Sequence, residues 1–296
     1  MSPSIPLQAI VISVVIHSLW GGNPVAVKFG LLVFPPMWSA FFRFVLAIAC
    51  VAVWAWFRGV RVWPSRREWP LLLGLGILFT VQIGTMNVGF DLTSGAMSAV
   101  LISTNPLFAA FLAHYVIAHD RMSTVKAVGL VVALLGVSVV LLRDAQLAEL
   151  QFNLGDWVVL LSAALLGLRL VLNAKMLEET DEVRVVIWQM VISLPIFAAG
   201  GWLWETIHWE NMAWEPLAGI AYQGFVVAGL GFMVFSYLMK KYTPSVMMSF
   251  NFVSPVAGVL LSIWLLSEQV NVTLVAGLVL VGLGLYLIAR PAATGK

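Results

Sequence analysis

One pattern occurs twice in the chain, first at Thr93–Arg143, TSGAMSAVLISTNPLFAAFLAHYVIAHDRMSTVKAVGLVVALLGVSVVLLR, and again at Thr243–Arg290, TPSVMMSFNFVSPVAGVLLSIWLLSEQVNVTLVAGLVLVGLGLYLIAR. A displacement of 149 residues sets Ser94-Gly95 on Thr243-Pro244 and Asn105-Pro106 on Ser254-Pro255. After a one-residue gap the displacement is 148, which sets Asp120 on Glu268, Gly129 on Gly277 and Gly136 on Gly284. Each copy has a small-residue start, an apolar run interrupted by proline, an acidic turn and a glycine-spaced apolar run. A repeat of this kind decides the architecture, because each copy is one structural unit. A fainter match at a displacement of 147 pairs Ser18–Gly30 with Leu165–Leu177 and aligns Lys28 with Lys175. The chain therefore divides into two halves, 1–148 and 149–296.

Apolar residues make up 61% of the 296 and charged ones 10%, with a mean hydropathy of +0.98. An ordinary soluble domain is about 45–50% apolar. No water-soluble core of this size would bury the excess, so lipid must be its solvent. A membrane span needs about 20 mostly apolar residues. Runs of that kind lie near 7–27, 36–57, 70–90, 94–117, 124–142, 156–174, 184–204, 214–238, 244–266 and 271–289. The expected fold is an all-α integral membrane protein of ten transmembrane helices. Five spans per half is an odd number, so the halves form inverted repeats, an arrangement that puts a substrate site near the midplane between them.

Orientation follows from Lys and Arg, which concentrate in cytoplasmic loops. With the N-terminus inside, inner loops and tail hold twelve cations: Arg58, Arg61, Arg66, Arg67, Arg121, Lys126, Lys175, Arg184, Lys240, Lys241, Arg290 and Lys296. The outer ends hold two, Lys28 and Arg143. Both termini are thus expected in the cytoplasm. Met1–Gln8 has no basic residue before the first apolar run, so that run reads as a retained span rather than a signal peptide. Trp63 and Trp69 on one side, and Trp202, Trp204, Trp209 and Trp214 on the other, suit interfacial aromatic belts.

Several kinds of chemistry have no support. The net charge of +2 and the lack of a basic stripe imply no nucleic-acid partner. Cys50 is the sole cysteine, so no disulfide or cysteine metal site forms within the chain. There is no GxxxxGKS loop for ATP and no HExxH or GxSxG motif. No enzyme activity, metal or cofactor is expected. The expected partners are the lipid bilayer and a small-molecule, amino acid-like substrate, and the expected state is a monomer or weak dimer.

Polar groups inside spans are the candidates for a substrate site. In the first span Ser13, His17, Trp20, Gly21 and Pro24 share one helix face. Pro24 cannot donate to the Trp20 carbonyl, which leaves an acceptor for an ammonium group beside an indole. Pro106 and Pro255 are expected to kink their helices likewise, freeing the carbonyls of Ile102 and Asn251. Arg43, in the outer third of the second span, has the planar fork that pairs with a carboxylate. Asn23, Gln82, Asn87, Gln189, Tyr222 and Asn251 complete the set, and Asn251 shares a stripe with Pro255, Gly258 and Ser262. Each of these polar groups has an alternative role in helix-to-helix hydrogen bonding. Arg169, near the inner end of the sixth span, is expected to snorkel to the interface, and Lys28 to lie at the outer rim. The glycines at 129, 136, 277 and 284 read as close helix packing. No Asp or Glu lies mid-span, so facilitated or weakly coupled efflux is expected rather than strict proton antiport, with His17 the mid-membrane group that titrates near neutral pH.

Trp20-Gly21-Gly22-Asn23-Pro24 with Lys28, Arg43 in the second span, and the paired proline spans followed by an acidic turn resemble the EamA-repeat family of the drug/metabolite transporter superfamily. The likeness covers nearly the whole chain. It implies export of small metabolites, amino acids prominent among them, across a bacterial inner membrane. It also implies a cavity lined by spans 1–4 and 6–9, with spans 5 and 10 peripheral. Where the family has a Gly-Glu pair after the fourth span, this chain has His119-Asp120. The orientation is checked by reporter fusions: green fluorescent protein at either terminus should fluoresce, and alkaline phosphatase there should be inactive. An active phosphatase at either end would invert or break the expected topology.

Overall fold

Proline and glycine interrupt apolar runs at defined points, and the helices break there. The computed structural model describes residues 6–116, 123–141, 153–242 and 249–289. The expected turn at His119-Asp120, Thr243-Pro244, and Arg121, Arg143, Arg290 and Lys296 lie outside them. Helices α1 (Leu7–Gly21) and α2 (Asn23–Leu31) are followed by α3 (Pro36–Arg58) and α4 (Trp69–Leu92), then by α5 (Gly95–Ile102), α6 (Asn105–Val116) and α7 (Thr124–Leu141). The second half contributes α8 (Leu154–Leu177), α9 (Glu182–Trp204) and α10 (Trp214–Ala221), which runs through a π-helical stretch (Tyr222–Gly231) into α11 (Phe232–Lys241). A 3-10 turn (Ser249–Phe252), α12 (Val253–Leu266) and α13 (Val272–Ala289) follow.

Seven helical stretches among the described residues are long and apolar enough to cross a membrane: Leu7–Leu31, Pro36–Arg58, Trp69–Leu92, Gly95–Val116, Leu154–Leu177, Glu182–Trp204 and Trp214–Lys241. Three further apolar helices, Thr124–Val139, Val253–Leu266 and Val272–Ile288, are shorter. The ten expected spans thus divide into seven long stretches and three short ones. In the ninth run the α-helix begins only at Val253, directly after the 3-10 turn Ser249–Phe252. Side chains such as Val53, Ile77, Val81, Leu161, Leu260 and Val279 point outward from mid-helix and are exposed. A monomeric soluble protein does not display so large an apolar surface.

Glycines set how closely the helices approach. A Cβ at Gly129 would lie 2.7 Å from the Gly284 carbonyl, and one at Gly136 would lie 2.7 Å from the Val281 nitrogen and 2.9 Å from the Gly277 carbonyl. Residue numbers rise along α7 as they fall along α13, so the two helices are antiparallel. They are also the last helices of the two sequence copies. The same holds for α5 and α12, where Gly95 faces Ser262 and Leu266, and Ala99 faces Gly258. Small residues of this sort let helix backbones touch where lipid gives no hydrophobic drive to association.

Two carboxylates tie the halves together at one end. Glu268 accepts from the backbone N–H groups of Gly95 (2.7 Å) and Ala96 (2.9 Å) at the start of α5. Glu205 accepts from Met37 and Trp38 at the start of α3. Each satisfies N–H groups that lack an intrahelical partner and sits at the positive end of a helix dipole. Ser267, at φ 53°, turns the chain so that Glu268 faces α5. At the same end Lys28 donates to the Asp91 carbonyl at 3.1 Å, and Thr93 hydrogen-bonds Asp156. Replacing Gly284 by leucine should prise α13 from α7, because its Cβ would meet the Ala133 Cβ at 2.4 Å. Overpacking of this kind costs about 1–3 kcal/mol, and thermal unfolding in detergent should show a lowered Tm; an unchanged Tm would mean these faces do not meet.

Candidate functional site

Three helix breaks converge on one cavity, and each is followed by a proline. Gly22 separates α1 from α2 and Pro24 lies in the first turn of α2; Ser103-Thr104 separates α5 from α6 and Pro106 is in the first turn of α6. In the first turn of a helix a missing N–H costs nothing. Pro255 sits in the first turn of α12, directly after the 3-10 turn, so it begins a helix and does not kink one. Pro255 thus starts a helix where a kink was expected, while Pro24 and Pro106 lie just after short breaks inside the helical stretches Leu7–Leu31 and Gly95–Val116. The cavity has a volume of about 150 Å³, and α1 to α6, α8, α9, the π-helical stretch, α11, the 3-10 turn and the start of α12 supply its walls. Neither α7 nor α13 contributes to the lining.

Several carbonyls at the breaks are already taken. The Leu19 carbonyl accepts from the Gly22 N–H at 3.0 Å and from the Tyr222 hydroxyl at 2.6 Å. The Ile102 carbonyl accepts from the Asn105 amide at 2.9 Å, the Ser103 carbonyl from Asn251 at 3.1 Å, and the His17 carbonyl from the Ser254 hydroxyl at 2.8 Å. The Ile102 carbonyl, the acceptor expected beside Pro106, is therefore used within the fold, as is the Leu19 carbonyl next to that of Trp20. His17 donates its Nδ1–H to the Ser13 carbonyl at 2.8 Å, so in the neutral ring Nε2 is the acceptor. Its ring meets Trp20 and Phe235 edge-on at 5.3 and 5.7 Å. The Trp20 indole donates to the Val227 carbonyl at 3.2 Å, inside the π-helical stretch. Gly231 makes that possible: a Cβ there would lie 2.6 Å from the indole nitrogen.

Arg43 and Arg169 dominate the electrostatics. Both line the cavity, and they are 2% and 6% exposed. Arg43 donates from Nη1 to Gln223 Oε1 at 3.4 Å, while its Nε and Nη2 have no partner. Arg169 Nε also lacks one. Instead the Arg169 guanidinium lies over the rings of Phe79 (4.7 Å) and Phe232 (5.6 Å), and that of Arg43 over Phe44 (4.6 Å). A desolvated cation–π contact is worth roughly 2 kcal/mol, against an effective burial cost of several kcal/mol per ion. The rings therefore offset only part of the cost, and an anion is what the site lacks. No Asp or Glu is among the described lining residues. The expectation that Arg169 snorkels is overturned: α8 runs on to Leu177, which leaves Arg169 two turns inside the helix with its head group over aromatic rings.

The other expected site residues divide into two groups. His17, Trp20, Asn23, Gln82, Gln189 and Asn251, with Pro24 and Pro106, lie on the cavity wall. Buried oxygens of Asn23, Gln82 and Gln189 are unpartnered there. Gln82 donates to Ser162 at 3.1 Å and Gln189 to Asn173 at 3.1 Å, which links α4 and α9 to α8. Asn87 and Tyr222 lie off the cavity wall and tie backbone instead, Asn87 to the Pro36 carbonyl at 2.9 Å and Tyr222 to that of Leu19. Phe79, Phe232, Phe235, Asn173 and Ser254 line the cavity without having been expected. Arg169 and Asn173 at a four-residue spacing was the one available signal for the α8 face; the phenylalanines carry none, since any lipid-facing helix uses them.

A family model for EamA-like transporters matches residues 7–142 and again 153–290. The chain belongs to the EamA-like transporter family. It is a multi-pass membrane transporter, not an enzyme. Among its relatives, the "probable amino-acid metabolite efflux pump" of Salmonella typhimurium is 25% identical over 283 residues, which cover 91% of this chain and 90% of that protein. The pump of the same description from Escherichia coli is 25% identical over 290 residues, covering 94% and 93%. A solved crystal structure shares the fold with a TM-score of 0.73 at 18% identity, over 95% of this chain and 96% of that one. For this EamA-like transporter, Tyr222→Phe should leave the KM for substrate unchanged and lower stability by about 1 kcal/mol, the worth of one hydrogen bond. A raised KM with unchanged Tm would return Tyr222 to the binding site.

Proposed function

We propose that this transporter exports small amino acids and related carboxylated metabolites, aromatic and apolar ones included, across a bacterial inner membrane. In this reading the ten apolar helices are ten spans, residues 1–148 and 149–296 are inverted halves, and both termini are cytoplasmic. The antiparallel packing of α7 on α13 and of α5 on α12 supports the inversion, because helices in equivalent places run in opposite directions. The halves would rock about the cavity, exposing it to one side and then the other. The Glu268 contact with α5 would part when the outer side opens.

The observation that carries the reading is the Arg43 guanidinium, buried on the cavity with two nitrogens unpartnered. A substrate carboxylate completes its hydrogen bonding through the planar fork. The unpartnered amide oxygens of Asn23, Gln82 and Gln189 offer acceptors to an ammonium group, and Trp20, Phe232 and Phe235 give an apolar wall for the side chain. No carboxylate is among the described lining residues to relay protons, which favours facilitated or weakly coupled flux.

Purified protein in liposomes, offered a panel of amino acids, nucleobases and sugars, tests this. Saturable amino-acid flux is expected, with efficiency falling about 10–100-fold in Arg43→Gln, as for a lost charge-assisted contact of about 1.5–3 kcal/mol. Preference for nucleobases or sugars would make it a carrier of another metabolite, and flux that never saturates would make it a channel. Uphill accumulation that requires a pH gradient would refute weak coupling, and its loss in His17→Ala would name the titrating group.

A further inference from the structure

A single carboxylate held by Arg43 leaves the charge of Arg169 on the same cavity without a counter-charge among the described lining residues. Its guanidinium is held between Phe79 and Phe232, while Arg43 lies over Phe44. Phe44 and Phe79 are themselves in contact, with ring centroids 4.8 Å apart. Each cation thus lies over a different ring of one contacting aromatic pair, and both line the same cavity.

We infer that the cavity selects cargo with two anionic groups, one for each guanidinium, so that acidic amino acids and small dicarboxylates are preferred over neutral zwitterions. The inference rests on the carrier reading above and narrows its substrate class. A neutral amino acid would bring one carboxylate and one ammonium to a wall that already holds two cations. Of the three positive groups then present, only one would be paired. A substrate with two carboxylates meets both guanidiniums, and desolvated charges are tolerated in a membrane interior when they are paired. The ion pairs among the described residues, Arg184–Glu68, His208–Glu210 and Lys240–Glu182, all lie near the ends of the spans. None supplies a counter-charge to this cavity.

The acceptors point the same way. The carbonyls of Leu19, Ile102, Ser103 and His17 at the helix breaks are occupied by Tyr222, Asn105, Asn251 and Ser254. Amide oxygens such as that of Gln82 remain, enough for the single ammonium of an acidic amino acid and not needed by a dicarboxylate. Unpartnered nitrogens of both buried arginines remain as donors for the anions.

Proteoliposomes loaded with matched pairs that differ in one charge, glutamate against glutamine and succinate against succinamate, provide the test. The doubly carboxylated member of each pair should be transported with at least a tenfold higher kcat/KM. Arg169→Gln should bring the ratio to about one by loss of glutamate flux, and Arg169→Lys should keep part of it. Equal wild-type efficiency for glutamine and glutamate would overturn the inference and leave amino-acid transport standing. An unchanged ratio in Arg169→Gln would overturn it as well. Flux of neither pair, nor of any other amino acid, would instead remove the carrier reading on which it rests. If Arg169→Gln does not fold, the wild-type ratio and the Arg169→Lys ratio decide.

Discussion

In hydrocarbon a helix can be interrupted only where something other than water takes up the freed backbone groups, and the arrangement of this cavity follows from that constraint. The breaks at Gly22 and at Ser103-Thr104 each leave carbonyls in the protein interior. Side chains from the opposite half satisfy several of them: Tyr222 reaches Leu19, Asn251 reaches Ser103 and Ser254 reaches His17. The chain thus closes its own backbone across the interface between halves, and groups that looked like substrate contacts are partly structural. What the backbone does not use is left to the arginine nitrogens and a few amide oxygens, and these define the chemistry of the cavity.

The same interface explains how the site is held and how it can open. Gly21, Ala99 and Gly258 bring α1, α5 and α12 into backbone contact beside the cavity. Further along, Glu268 binds the start of α5 through two N–H groups. This tie is local and polar, at the end of a helix, whereas the α7–α13 contact is a long glycine-lined face far from the cavity. A motion that parts the first and keeps the second needs no change in the interior of any helix. The π-helical stretch in the eighth apolar run adds a wider turn where Val227 accepts from Trp20. Such turns recur at functional sites because they re-aim backbone groups.

Much of the fold was legible in the sequence. Apolar runs, small-residue spacing and the repeat all act through local periodicity and composition, so helices, their approximate limits and the glycine contacts could be read from one dimension. Gly129 and Gly136 were expected to pack, and they do so against the α13 backbone. The site was only partly legible. Arg43 stood out because a charge within a span is costly wherever it points. Asn87 and Tyr222 were indistinguishable from cavity residues by type, since an amide or phenol can serve a ligand or a backbone carbonyl equally well. Arg169 was misread because its depth depends on where α8 ends, and a helix end in an apolar run with Asn173 and Lys175 nearby has no sharp marker.

By itself, then, the sequence determined that the chain belongs in a membrane, is helical, repeats a unit twice and carries two arginines within spans that have no acid in their middles. Those are properties of composition and order. Only the tertiary structure decided that the two arginines share a cavity, because it alone brings α3 and α8 onto the Phe44–Phe79 pair. It also decided which polar groups are spent on the helix breaks and which remain for a ligand. The reason is physical: a hydrogen bond or a buried charge is fixed by its partner, and partners such as Gln223 for Arg43 and Phe79 for Arg169 lie tens of residues away along the chain.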